Sequence, residues 1–383
     1  MTFITHDLAV IGGGIHGASV ALFAARAGMD VVLLDKGALA REASGTNAGT
    51  LTMQMTRAAL IPYALKAHDM WVRAPEWLGH DVGVVACDGL SLAFTEAEEQ
   101  LLAERAAARR TAGAPIRLVS SAEATRIEPG LNPSLRMASH CTIDGYANAY
   151  LTGVAYRRAL LEAEVALREY TPVEGLDPTG TGFSVRTRTG VVAARQVVLT
   201  GGVWIEPMLA WLGIHLPIRT LVNQLSVTER TTPVMRTVVG IASGLLSLKQ
   251  FPHGTVVIGG GWQGTGSRDT GHHTTTHEST VGNARLAVHA IPALRATRLV
   301  RSWTGFEAET ADALPAVGPV PGVPGAWVSG SVHSGYTSAP YIAHCLVQAI
   351  LGQVPDMPLF PIDRLLVQDM PAATDFTKNG TEH

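Results

Sequence analysis

The chain predicts an α/β fold in which a parallel-sheet domain, assembled from separated segments, is interrupted by an α+β insert built on an antiparallel sheet. Three observations predict it. A short apolar run at residues 7–11 breaks into a glycine-rich turn that opens a helical stretch. Glycine turns recur at residues 200–204 and 329–337, and strand-rich stretches lie between them.

The first element carries the most information. Asp7-Leu8-Ala9-Val10-Ile11 reads as a strand and Gly12-Gly13-Gly14-Ile15-His16-Gly17 as a GxGxxG turn. Residues 15–27 read as a helix, Gly28 as its stop, and Val31-Val32-Leu33-Leu34 as a second strand ending on Asp35. Gly12 permits the tight turn, Gly14 lets backbone N–H groups approach a pyrophosphate, and Gly17 lets the helix pack against the strand. The helix N-terminus supplies positive potential, and Asp35 lies where a carboxylate accepts ribose hydroxyls. A glycine-rich structural turn is the plainer alternative. Strand, helix, closing glycine and acid in this order instead predict a Rossmann-like unit that binds an ADP-containing cofactor.

Residues 40–51 follow as a loop of small and polar side chains, 61–71 have helical periodicity, and 82–94 read as short strands. Thr95-Glu96-Ala97-Glu98 is a capping box opening a charged helix that ends near Arg110, with its charges read as a solvated face. Residues 151–166 read as a helix, followed by a strand entering 170–173, and 191–199 as a strand feeding the second glycine turn. Strands dominate 216–261, a helix covers 275–289 with Pro292 beyond it, and Ala326-Trp327-Val328-Ser329 precedes a final helix over 337–351. The domains expected are a cofactor domain from 1–80, 145–210 and 311–370, a substrate domain from 81–144 and 211–310, and a disordered tail at 371–383.

Composition narrows the function. The 383 residues are 46% hydrophobic with 40 glycines, enough for a large core, and 29 basic residues balance 32 acidic ones. That balance argues against nucleic acid or an anionic membrane as partner. No apolar run has the length of a membrane span, so a cytoplasmic protein without membrane insertion is expected. Cys87, Cys141 and Cys345 are far apart, which disfavours zinc ribbons, iron–sulfur clusters and disulfides and reads as buried reduced thiols. His272-His273-Thr274-Thr275-Thr276-His277 could place two histidines on one helical face, but the threonines look like a cap, and no metal is expected.

Four further segments resemble the D-amino-acid oxidase-like family of FAD-dependent oxidoreductases, across nearly the whole chain. They are Ala43-Ser44-Gly45-Thr46-Asn47-Ala48-Gly49, Val197-Val198-Leu199-Thr200-Gly201-Gly202-Val203-Trp204, Arg301-Ser302-Trp303-Thr304-Gly305-Phe306 continuing to Pro319, and Ser329-Gly330-Ser331-Val332-His333-Ser334-Gly335-Tyr336-Thr337. Leu60-Ile61-Pro62-Tyr63, Asp144-Gly145-Tyr146-Ala147-Asn148 and the Gly305-Phe306-Glu307 form resemble the β subunits of opine oxidases, hydroxyproline dehydrogenases and sarcosine oxidase in particular. The resemblance implies FAD as cofactor. It implies contacts from Gly12, Gly14, Ile15, His16, Gly17, Asp35 and Lys36, and from Ser44, Gly45, Thr46, Asn47, Ala48, Gly49 and Leu51. Val173, Thr200, Gly201, Trp204 and Gly305 follow, and then Gly330, His333, Ser334, Gly335, Tyr336 and Thr337. Asn148 stands where the β subunit of sarcosine oxidase has a flavin-tethering histidine, so a non-covalent FAD is expected; a second flavin (FMN) at a subunit interface stays open.

The chemistry implied is hydride transfer from an amine α C–H to flavin N5, with the protein orienting the substrate. Arginines that hold a substrate carboxylate in many such oxidases are absent here, where Glu307 and His333 stand. Glu307 is therefore expected to attract a cationic substrate group, or else to pair with Arg301. His333 is the candidate catalytic residue, or a loop histidine bonded to backbone. Gln250, Lys249 and Tyr336 are the other candidate substrate contacts, with a solvent-facing strand lysine as the alternative for Lys249. The function expected is oxidation of an N-substituted amino acid, an opine or imino acid, by a β-type subunit with an α and a small ferredoxin-like partner. The alternatives are a self-sufficient glycine or D-amino-acid oxidase, an electron-relay flavoprotein subunit, and more remotely a hydroxy-acid or glycerol-phosphate dehydrogenase.

Overall fold

The computed structural model describes residues 5–330 and 335–366. Its first sheet has a parallel centre, in the order Ala166–Arg168, Val31–Leu34, Thr5–Ile11, Gly190–Leu199 and Ala326–Gly330. An antiparallel hairpin, Val173–Thr179 with Gly182–Thr187, extends it beside the first half of Gly190–Leu199, and Ala316–Pro319 runs antiparallel to Ala326–Gly330. Val31 and Leu33 enter one core cluster and Val32 and Leu34 the opposite one. Burial on both faces explains why these strands read as unbroken apolar runs rather than alternating ones.

The register aligns the carboxyl ends of the central strands. Ile11 pairs with Leu34 on one side and Leu199 on the other, and Leu199 pairs with Val328. Gly12, Asp35, Thr200 and Gly330 therefore emerge at one edge, where ligands of open α/β sheets bind. The helices Ile15–Arg26 and Gly335–Ile350 pack together on the face that holds Leu22, Trp71 and Leu346.

The second sheet also has eight strands, ordered Leu299–Glu309, Arg219–Thr228, Val256–Gly259, Ser247–Gln250, Val238–Ile241, Gly89–Ala93, Met137–Cys141 and Ile116–Ser120. Its pairs are antiparallel except Val238–Ile241 with Gly89–Ala93, a departure from the antiparallel sheet expected. The parallel pair arises because these two strands come from distant segments, with no hairpin to set their direction. A third cluster of Leu90, Leu248, Ile258 and Ala287 packs this sheet against the helix His277–Ala290.

Several boundaries moved. Residues 40–51 hold a one-turn helix, Ala43–Thr46, and a short strand, Thr50–Leu51. Tyr170 has φ 54°, which delays the next long strand to Val173. Cys141 and Cys345 are buried, Cys87 only partly. The helix Glu96–Thr111 has the predicted capping box at Thr95 and Glu98. No helix among the described residues is long and apolar enough to cross a membrane. The expected tail at 371–383, with His333 and Ser334, lies outside the described residues.

Candidate active site

A cavity of about 1060 Å³ runs from the first glycine turn to the face of the second sheet. Its near end is built by the sheet edge. Gly12 adopts φ +113°, and a Cβ there would stand 2.7 Å from the Thr200 carbonyl oxygen. Gly17 packs more tightly still: a Cβ would stand 1.9 Å from the Gly12 oxygen and 2.6 Å from Thr200 Oγ1. At Gly14 a Cβ would approach only Ser44 Oγ, at 3.3 Å, so this glycine borders open space. Asp35 accepts N–H bonds from Gly13 and, at 2.7 Å, Gly37, and burial raises its carboxyl above the usual range.

The Ala43–Thr46 turn closes over this end. Ser44 Oγ accepts the Ile15 N–H at 2.8 Å, satisfying one donor at the helix N-terminus, and Trp303 Nε1 donates to the Thr46 carbonyl at 2.7 Å. Gly305 is needed there because a Cβ would meet Thr46 Oγ1 at 2.1 Å. The Lys36 ammonium lies over the Trp204 ring, 3.1 Å from its centroid. His16 is partly buried, with Nδ1 3.1 Å from Ser329 Oγ; Nε2 has no hydrogen-bond partner among the described residues, and loss of solvation lowers its pKa to about 4. The cradle, the aligned strand ends and the His16 side chain, which lines the cavity with one ring nitrogen unpartnered, fit a dinucleotide such as FAD.

The far end is built by strand alternation. Arg219–Thr228 and Leu299–Glu309 pair with Arg219 opposite Glu309, Leu221 opposite Glu307 and Asn223 opposite Gly305, all six lining the cavity. Glu309 is 2% exposed and binds both Arg219 and Arg57, the latter at 3.1 Å. Glu307 accepts a hydrogen bond from the Asn223 amide, which in turn accepts from Gln263 Nε2. Arg301 is exposed at the other end of the same strand, opposite Val227, so the expected Arg301–Glu307 pair does not form.

The cavity brings together Gly12, Gly14, Ile15, His16, Asp35, Lys36, Ser44, Thr46, Asn47, Ala48, Val173, Thr200, Gly201, Trp204, Gly305, Glu307, Gly330, Gly335, Tyr336 and Thr337. Among the described residues, Gly17, Gly45, Gly49 and Leu51 do not line it. Gly45 and Gly49 allow close backbone approach, to Ala40 and Ala147 respectively, and Leu51 is fully buried. Gln250 spends its amide on backbone, accepting from Val234 and Met235 and donating to Thr232 and Gly254; it ties loops together and does not face substrate. Tyr336 stacks on Trp71 at 4.8 Å and its hydroxyl bonds Thr152 at 2.7 Å, so its polar atom turns into the core.

Lys249 is not solvent-facing and does not line the cavity, although Thr50 and Ser247, which it bonds, do. It is fully buried, donates to Thr50 and Ser247 Oγ, and loss of solvation pulls its ammonium down to about 7. Asn148 caps a helix, accepting the Tyr150 and Leu151 N–H groups. His273 lies on the strand His272–Thr274 bonded to Thr304, while His277 begins a helix, so the two share no helical face.

Sequence reasoning missed Arg57, Arg105, Arg109, Arg219, Asn223 and Glu309. The signal for Arg105 and Arg109 was present. They fall with Leu102 and Ala106 on one helical stripe, and these two charges line the cavity, while Glu96, Glu104 and Arg110 are exposed as read.

A parallel sheet with a glycine cradle at its switch edge, joined to an eight-stranded sheet that roofs the same cavity, defines a two-part dinucleotide-cofactor oxidoreductase. The family model for FAD dependent oxidoreductases, DAO, matches residues 7–349, and the chain belongs to that family. It is 29% identical to an opine oxidase subunit of Rhizobium meliloti, covering 90% of this chain and 92% of the relative. It is 27% identical to glycine oxidase of Geobacillus kaustophilus (strain HTA426), covering 88% and 90%. The crystal structure of glycine oxidase from Geobacillus kaustophilus superposes with a TM-score of 0.86 at 25% identity, covering 96% of this chain and all of that one.

Proposed function

We propose that this chain oxidises the C–N bond of an N-substituted amino acid, an opine or imino acid, as the cytoplasmic β-type subunit of a heteromeric enzyme. One observation carries the reading: the dinucleotide cradle and a set of opposed charges, Glu307 beside Arg57 and Arg219, share one cavity. FAD, when bound, supplies the hydride acceptor. Glu307, held by Asn223, orients the substrate's cationic group, and the guanidiniums face its carboxylate. Arg57 and Arg219 are only partly exposed beneath the roof strands, and that partial loss of solvent strengthens both contacts. The Rhizobium meliloti relative is by name one subunit of an opine oxidase, which supports the heteromeric part. A second flavin is not part of this proposal.

Anaerobic mixing of the yellow holoprotein with a panel of amines tests it. Opine-type substrates should bleach the flavin faster than glycine or simple D-amino acids. The likeness to glycine oxidases favours one other reading, a self-sufficient oxidase, which hydrogen peroxide production from glycine by the isolated chain would establish instead. FAD that no amine reduces would leave only an electron-relay role.

A further inference from the structure

We propose that Arg105 and Arg109 form a second anion subsite, and that the substrate is a dicarboxylic amine whose carboxylate remote from the reacting C–N bond is bound there. The inference rests on the amine-oxidation reading above and adds the substrate's charge. Both residues project from the helix Glu96–Thr111, four apart, and both line the cavity.

Each is anchored by only part of its guanidinium. Arg109 Nε donates to the Thr56 carbonyl at 2.8 Å, and Arg105 Nη1 donates to the Ala242 carbonyl. Anchoring by backbone fixes direction without neutralising charge. Among the described residues, neither arginine has a carboxylate within ion-pair distance. The opposite charge acting on Arg109 is that of Asp144, which is fully buried and already accepts from Thr52 Oγ1 and the Met53 N–H.

The charges around them are of the same sign. Burial lowers Arg109 to about 10, and repulsion from Arg105 and Arg57 adds to it; Arg105 is itself lowered by burial and by Arg57. Glu309 is shared between Arg57 and Arg219, and Glu307 is the other acid at this end. Among the described residues at this end, four guanidiniums thus face two carboxylates. A substrate with one ammonium and one carboxylate leaves that excess unchanged, whereas a second carboxylate meets two donors already aimed at the cavity. Ser91, on the strand Gly89–Ala93, and Ser243, next to the Ala242 that anchors Arg105, also line the cavity.

Calorimetric titration of the oxidised holoprotein with two redox-inert probes, glutarate and butyrate, tests this without turnover. Wild type should bind glutarate more tightly than butyrate by about 10-fold or more, and Arg105→Gln or Arg109→Gln should each reduce that preference by about 10-fold. Arg105→Lys keeps charge and stem, so it should retain most of the preference even if a Gln variant folds poorly. Equal affinities in wild type, or a preference unchanged in both Gln variants, overturns the subsite. A glutarate preference that stands while no amine bleaches the flavin refutes the oxidation reading alone.

Discussion

Gly17→Ala should cost this protein its cofactor and part of its fold, although alanine is the better helix former. The propensity gain inside a helix is about 0.5–1 kcal/mol. Against it, the new methyl would stand 1.9 Å from the Gly12 oxygen and 2.6 Å from Thr200 Oγ1. Both neighbours are fixed, since Gly12 bonds the Leu34 carbonyl and Thr200 Oγ1 donates to the Ile11 and Gly12 carbonyls. Restoring an ordinary carbon–oxygen approach of about 3.3 Å moves the helix back by roughly 1.4 Å. Overpacking of this kind costs about 1–3 kcal/mol, more than the propensity gain. The displacement also moves the helix N-terminus off the pyrophosphate position, and losing one charge-assisted hydrogen bond there should weaken FAD binding by about 10- to 150-fold. Gly14→Ala is the informative control. Its methyl meets only Ser44 Oγ at 3.3 Å in the free protein, so the apoprotein should melt as wild type while FAD binding alone is lost. The assay is FAD fluorescence quenching on apoprotein beside thermal unfolding followed by far-UV circular dichroism. A Gly17→Ala protein that binds FAD within threefold of wild type with unchanged Tm refutes the close-approach argument.

Four further outcomes follow from the site. Glu307→Gln should slow flavin reduction by cationic substrates about 10- to 150-fold with FAD content unchanged; an equal fall for neutral amines shows that Glu307 does not read charge. Glu309→Ala leaves Arg57 and Arg219 without their shared acid and should destabilise the apoprotein by about 2–4 kcal/mol, short of the full buried-pair figure because both guanidiniums keep some solvent. The Lys249 ammonium titrates near 7 in the fold against 10.5 in the open chain, so the unfolded state holds more protons between those values. Wild-type stability should therefore rise relative to Lys249→Met between pH 6 and pH 9, by about 2–3 kcal/mol, and a flat difference across urea melts contradicts it. Acid precipitation should release the yellow colour, because Asn148 is spent on a helix cap; flavin left on the pellet disproves a non-covalent cofactor.

The near end of the cavity was legible because its determinants are local. Strand, glycines, helix and acid follow one another within residues 7–35; Gly12 and Gly17 answer to backbone contacts a few residues away or across one strand, and Gly14 to open space. The far end was not. Glu307 could be suspected from its segment, but its partner Asn223 lies 84 residues upstream and meets it only through strand register. The lone lysine at 249 reads as a surface residue in any strand with period-2 alternation. Only the pairing of its strand between Val238–Ile241 and Val256–Gly259 buries it. Gln250 shows the opposite error: an amide in a suggestive segment was consumed by backbone groups of two loops.

The arginines show how charge reaches a half-buried wall without a sequence motif. Arg57 comes from a loop, Arg105 and Arg109 from a helix of the insert, and Arg219 from the start of a roof strand, so no spacing could unite them. Each is held by groups that cost the cavity nothing: Ala313, Ala242 and Thr56 carbonyls for the first three, and Glu309 for Arg57 and Arg219. A fold that needed these charges only for stability would pair all of them, because an unpaired half-buried guanidinium is a net cost. Two are paired and two are anchored by backbone alone. That division separates positive charge already shared with a buried carboxylate, at Arg57 and Arg219, from the positive charge at Arg105 and Arg109 that a second substrate carboxylate would meet.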